Sequence, residues 1–186
     1  MQLIDLAFPY QKEFITNNSK RKIWISSRQI GKSWTIAFIL VRKALEKKNG
    51  LTLCISVNSR SASEIIKKCS QFAEAVKTLS KGAITYQSAF DHITFSNGSR
   101  ILSLPSTSDG LRGWTASCVC VDEAAFVYKL DEIMQGLGPT LTRDPNAELI
   151  LTTTPAGMNG HFYEMYSRAL EDEQWYVQTT TIHDAI

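Results

Sequence analysis

The sequence predicts an α/β fold in which strands alternate with helices, with a β-hairpin near residues 91–104. Three observations carry that expectation. The apolar run Ile23-Trp24-Ile25 passes through the polar stretch Ser26 to Ser33 straight into the helix-like pattern Trp34 to Leu40, a strand–loop–helix unit. A second apolar run, Val119-Cys120-Val121, ends in two adjacent carboxylates, Asp122 and Glu123. Between them the hydrophobic period is helical over residues 59–79 and changes to two after Ala83. With 186 residues, 44% hydrophobic and 20% charged, the chain has material for one sizeable core, so a single domain spanning 1–186 is expected.

Taken in order, Phe8 to Ile15 reads as a short helix with Pro9 in its first turn. Gln11 on that helix carries both a donor and an acceptor, the pair needed to match an adenine edge. Ser26 to Ser33 then reads as a phosphate-binding loop: buried strand, tight loop with inward backbone N–H groups, and a helix whose positive end faces the anion. Gly31 lets the backbone approach phosphate oxygens, Lys32 reaches the β- and γ-phosphates, and the Ser33 hydroxyl is a Mg²⁺ ligand. Ser26 stands where the general pattern has its first glycine.

The helix after the loop is expected to reach about Lys48 and stop at Asn49-Gly50, followed by a buried strand from Leu51 to Val57. Asn58 or Ser59 caps a second long helix to Leu79, whose buried side is Ile65, Ile66, Cys69, Phe72, Ala73 and Val76. Arg60, at its start, reads first as a surface arginine and second as a DNA contact, since in many nucleic-acid motors the loop after this strand faces the strand being moved. Ile93 and Phe95 alternate with polar residues, Asn97-Gly98 turns the chain, and Arg100 to Leu104 returns: a hairpin. Arg112, between glycines in the loop that follows, is free to reach outward.

At the tip of the next strand, Asp122 can hold Mg²⁺ and Glu123 can polarise the water that attacks a γ-phosphate. A helical stretch near Lys129 to Leu141 contains Gly136, Gly138 and Pro139 and is expected to break. The strand Ala147 to Leu151 ends in Thr152, Thr153 and Thr154, hydroxyls placed to sense a γ-phosphate. A helix within Met158 to Leu170 and a strand from Trp175 to Thr181 complete the chain.

A formal charge of +2 and a pI near 8.3 permit a nucleic-acid partner without arguing for one. The four cysteines lack metal-ligand spacing and read as core residues in a reducing cytoplasm. No apolar run approaches a bilayer span, and Gln2 to Asp5 do not open a leader, so neither membrane insertion nor secretion is expected.

These residues resemble the ATPase domain of the large terminase subunit, the DNA-packaging motor of tailed bacteriophages and prophages. The resemblance spans nearly the whole chain. It rests on Gln11, on Ser27-Arg28-Gln29-Ile30-Gly31-Lys32-Ser33, on Asn97-Gly98-Ser99, on Leu111-Arg112-Gly113, on Asp122 to Phe126 and on Thr153-Thr154-Pro155. It implies a RecA-like fold of the P-loop NTPase class, a mainly parallel central sheet flanked by helices, with ATP and Mg²⁺ as cofactors. It also implies that Arg28 contacts the γ-phosphate in cis and that Arg112 serves a neighbouring subunit as an arginine finger. Thr152 to Thr154 would couple hydrolysis to movement of double-stranded DNA. Implied partners are the portal protein, the small terminase subunit and further copies of the chain, in the bacterial host cytoplasm during virus assembly. The family's nuclease domain is not expected in this chain, nor is DNA cleavage. Two other readings stay open: one lobe of a helicase-like DNA-dependent ATPase, and a nucleotide-binding assembly module with negligible turnover.

Overall fold

The computed structural model describes residues 3–107 and 114–185. Helix α1 (Pro9–Thr16) leads into strand β1 (Arg21–Ser26) and helix α2 (Lys32–Glu46). Strand β2 (Leu51–Ser56) and helix α3 (Ser59–Leu79) follow, and then three strands, β3 (Tyr86–Ser88), β4 (His92–Phe95) and β5 (Arg100–Pro105). The second half is β6 (Cys118–Asp122), α4 (Leu130–Arg143), β7 (Glu148–Thr153), α5 (Gly160–Ala169) and β8 (Trp175–Thr180). These strands form one sheet in the order β3-β4-β5-β2-β6-β7-β1-β8, parallel from β5 to β8.

The expected hairpin is β4–β5, antiparallel, and it extends the parallel sheet because β5 also pairs with β2. One short strand, β3, adds an antiparallel edge to it that the sequence pattern does not disclose. Asn58 caps α3 as expected, its side chain accepting from the Ser61 N–H at 2.9 Å.

The pleat separates the core into two layers, because successive side chains point to opposite faces. Trp24, Cys54, Cys118, Cys120 and Ile150 pack with α1, α2 and α3. Ile23, Leu53, Val119, Val121, Leu149 and Leu151 pack with α4 and α5. All four cysteines are buried free thiols, as core residues should be, and burial pushes the Cys118 thiol up to about 12.

The expected break in α4 does not occur. The helix runs continuously from Leu130 to Arg143 with Pro139 inside it. Pro139 lies on the exposed side, while Leu130, Ile133, Leu137 and Leu141 are buried on the other. Burying those side chains outweighs the roughly 3 kcal/mol that an interior proline costs a helix.

Candidate active site

Adjacent strands β6, β7 and β1 end side by side, and their C-terminal tips bring residues 26–33, 122–123 and 152–154 together. In an open parallel sheet this edge is where ligands bind. The loop between β1 and α2 turns sharply, with Gln29 at φ 64° and Gly31 at φ 83°, both left-handed. A Cβ on Gly31 would lie 2.5 Å from Gln11 Nε2, so only glycine fits there without displacement. The backbone N–H groups from Arg28 to Ser33 donate to no acceptor among the described residues. With the N-terminal end of α2 behind them, they form a cradle for an anion.

Helix α1 fixes this loop from below. The Tyr10 hydroxyl donates to the Ile30 carbonyl at 2.8 Å. Gln11 Nε2 lies 3.4 Å from the carbonyls of both Ile30 and Gly31, and Gln11 Oε1 accepts from the Phe8 N–H at 2.9 Å. Gln11 is therefore buried with both ends of its amide engaged, and contact with a base requires it to exchange these bonds.

Lys32 is buried at the start of α2, and its ammonium donates to Glu123 Oε1 and lies 3.6 Å from Asp122 Oδ1. Glu123 sits in the left-handed region at φ 54°, just past the tip of β6, which turns its side chain back over the strand ends. Its second oxygen accepts from the Thr154 N–H at 2.9 Å and the Thr154 hydroxyl at 3.2 Å. Burial works against the charge on Glu123, but the bonds from Lys32 and Thr154 outweigh it and hold the carboxyl below its ordinary range. Asp122 differs. Burial pushes its carboxyl above the ordinary range in spite of the Lys32 charge, although Oδ1 accepts from the Thr152 hydroxyl and the Glu123 N–H, both at 3.0 Å.

The threonines thus act in register with the carboxylates: Thr152 pairs with Asp122 across β7–β6 and holds it, while Thr154 holds Glu123. The Thr153 hydroxyl donates to the Thr154 carbonyl at 2.9 Å and steadies the same turn. Ser27 is tied through its N–H to the Thr180 carbonyl at 2.9 Å. Arg28 is exposed on the outer side of the loop, and its side chain has no hydrogen bond or ion pair among the described residues. Arg112 falls outside the described residues.

The donor set fits Mg²⁺. The ion takes hard oxygen ligands, and here Asp122 Oδ2 accepts no hydrogen bond while the half-buried Ser33 hydroxyl has no protein partner among the described residues.

Sequence reading missed the members of the site that come from far along the chain. Gln178 on β8 donates from Nε2 to the Tyr10 carbonyl at 2.9 Å, and Trp24 Nε1 donates to Thr180 Oγ1 at 2.9 Å, so β8 anchors both α1 and β1. Tyr10 was findable as the neighbour of Gln11. Gln178 and Thr180 carry no local signal.

The chain matches the family described as "Terminase large subunit, T4likevirus-type, N-terminal" over residues 23–185. It is 28% identical over 197 residues to the Mu-like prophage FluMu protein gp28 of Haemophilus influenzae, an alignment that covers 97% of this chain and 37% of that protein. Among solved structures, the ATPase domain of the Thermus phage P74-26 large terminase superposes with a TM-score of 0.80 at 17% identity, covering 96% of this chain and 82% of that one. The large terminase of a thermophilic bacteriophage, solved in complex with ADP, gives a TM-score of 0.75 at 17% identity and covers 95% of this chain and 46% of that one. The fold is accordingly RecA-like, and the chain spans well under half the length of the prophage relative. A match running from β1 to beyond β8 places the chain in the terminase large-subunit family, over the region that family describes as N-terminal.

Proposed function

We propose that the chain hydrolyses ATP with Mg²⁺ and that the cycle powers translocation of double-stranded viral DNA into a procapsid. One observation carries this reading: the buried Lys32 joins a loop of unpaired N–H groups to the carboxylates of Asp122 and Glu123. Phosphoryl transfer needs little beyond positioning and charge stabilisation, and those are the elements assembled here.

In this reading the N–H groups from Arg28 to Ser33 cradle the phosphates, with Ser27 anchoring the start of the loop on Thr180, Lys32 neutralises them, and Gln11 reads the base. Ser33 and Asp122 hold Mg²⁺, which supplies a Lewis acid for the charge that develops on the phosphate oxygens. Glu123, kept ionised by its donors, accepts a proton from the attacking water. Arg28 reaches the γ-phosphate in cis, and Arg112 is offered to the site of a neighbouring copy. Thr152 and Thr154 transmit the state of the carboxylates to the turn after β7, which is the coupling step. The portal protein and the small terminase subunit are the partners in the host cytoplasm.

The test is steady-state ATP hydrolysis by the whole chain and by Glu123→Gln, with and without duplex DNA, across a protein concentration series. Turnover should vanish in the variant and rise more than linearly with concentration, because a neighbour's finger is worth about 10³ to 10⁵ in rate. Equal turnover in both proteins would overturn the reading.

A further inference from the structure

The end of the sheet opposite the candidate active site carries a concentration of positive charge that nucleotide chemistry does not use. Overall the charge is segregated along the chain: residues 1–100 hold 16 Lys and Arg against 6 Asp and Glu, while residues 101–186 hold 4 against 12. Part of that positive charge, Lys20, Arg21, Lys47, Lys48 and Arg100, lies with Arg143 at the N-terminal heads of the strands, where four loops meet. Lys20 donates to the Pro145 carbonyl at 2.7 Å and to Asn146 Oδ1 at 2.9 Å, and Arg21 donates to the Ala147 carbonyl at 3.0 Å. Lys47 pairs with Asp144 at 2.5 Å, and the Arg100 N–H donates to the Gly50 carbonyl at 2.9 Å. Residues 17–20, 47–50, 96–100 and 143–147 therefore form one continuous edge.

The carboxylates on this edge are already engaged. Glu46 is held by Arg42 and Lys43, Glu148 by Lys43, and Asp144 by Lys47. Lys48, Arg100 and Arg143 are exposed, and their side chains have no hydrogen bond or ion pair among the described residues. Lys20 and Arg21 meet only carbonyl and amide oxygens. Five cations thus form no ion pair with a carboxylate among the described residues, although the Lys20 charge also helps to hold Asp144 ionised. An acidic stretch, Glu171 to Glu173, heads β8 at the far corner, beyond β1.

We infer that this edge seats the phosphate backbone of double-stranded DNA, an assignment that rests on reading the chain as a DNA-moving ATPase. The strand heads from β5 to β1 span four inter-strand steps, about 19 Å. At about 3.4 Å per base pair that is roughly five or six base pairs of one duplex strand. A protein partner would want an apolar centre on such a surface. None of the exposed large hydrophobic side chains lies in the four loops. Long, flexible, uncompensated Lys and Arg without an apolar centre suit a charged backbone read without regard to sequence. Arg60 and the first half of α3 lie at the other end of the sheet and form the competing DNA surface.

The experiment measures anisotropy of a labelled mixed-sequence duplex with the whole chain between about 50 and 200 mM salt. The variants are K48A/R100A/R143A and, as the comparison, R60A/K67A/K68A. The edge variant should bind at least about tenfold more weakly at low salt, with the slope of log affinity against log salt reduced by about 2 to 3. The comparison variant should stay close to wild type. ATP affinity, measured in the same preparations, should be unchanged in the edge variant; loss of ATP binding by wild type would sink the nucleotide reading and leave the DNA result interpretable. Three outcomes overturn the assignment: no duplex binding by wild type, an unchanged slope in the edge variant, or loss confined to R60A/K67A/K68A. Salt-sensitive self-association that the edge variant abolishes while its duplex binding persists would make the edge a contact between copies, and would overturn it too.

Discussion

Lys32 and Glu123 hold each other: the ammonium of the lysine proposed to bind phosphate donates to the carboxylate proposed as the general base, and it also lies 3.6 Å from Asp122 Oδ1. The two roles compete, because a lysine bonded to Glu123 is not fully available to a phosphate, and an anionic Glu123 repels one. Glu123→Gln keeps the side chain's shape and removes its charge. We expect ATP to bind this variant as tightly as wild type or up to about tenfold more tightly, a gain of at most about 1.4 kcal/mol. Calorimetric titration with ATP checks it; weaker binding would show that Glu123 orients Lys32 for the phosphates instead of competing with them.

Thr152 is fully buried, and its hydroxyl donates to Asp122 Oδ1 at 3.0 Å. Thr152→Val keeps the volume and removes that donor. The folded-state pKa of Asp122 is raised, so the native chain binds this proton more tightly than the unfolded one. The resulting penalty is absent below the unfolded value and grows as pH rises through the folded one. Without Thr152 the gap widens. The variant should lose about 1–2 kcal/mol at neutral pH and recover part of it in acid, read from melts across pH. The acid limb of ATP turnover should move to higher pH, since the ionised carboxylate is the form proposed to hold Mg²⁺.

Gly31 combines a left-handed backbone with a contact that leaves no room for a methyl group, 2.5 Å from Gln11 Nε2. Gly31→Ala should cost about 1–3 kcal/mol and abolish ATP binding, because the loop's N–H groups lose their common direction. Gln11→Ala in the same chain removes the contact but not the φ requirement. The double variant should therefore regain part of the stability and none of the binding. Full recovery of both in thermal melts and titration would show that the contact, not the backbone, is what excludes alanine.

The loop and the two carboxylates were legible because their chemistry is local: an apolar run fixes a strand, and the residues that follow it must sit at that strand's tip. The cap at Asn58 and the turn at Asn97-Gly98 were legible for the same reason. What was not legible depends on which strands lie side by side. The pairing of β8 with β1 puts Gln178 against the Tyr10 carbonyl and Thr180 against Trp24, and no spacing in the sequence predicts it. Strand β3 has three residues, too few to show a period. Gln11 was picked out for the chemistry of its amide, which says nothing of the loop carbonyls it meets. Helix α4 misled for a different reason, since local propensity pointed to a break and tertiary burial decided otherwise.

That helix supplies the last prediction. Pro139 occupies the exposed side of α4 and cannot donate to the carbonyl one turn back, while Ile133, Leu137 and Leu141 on the other side are buried. Pro139→Ala restores a helical N–H donor and leaves the core as it is. Since the helix already runs through this position, the substitution asks for no change of path. It should stabilise the chain by about 1–3 kcal/mol, and at roughly 2–4 °C per kcal/mol for a chain of this size the melting temperature should rise by several degrees. ATP binding should not change, because α4 contributes no side chain to the strand tips that carry the site. A lower melting temperature would mean that the fixed φ of proline stabilises this turn more than the missing hydrogen bond weakens it.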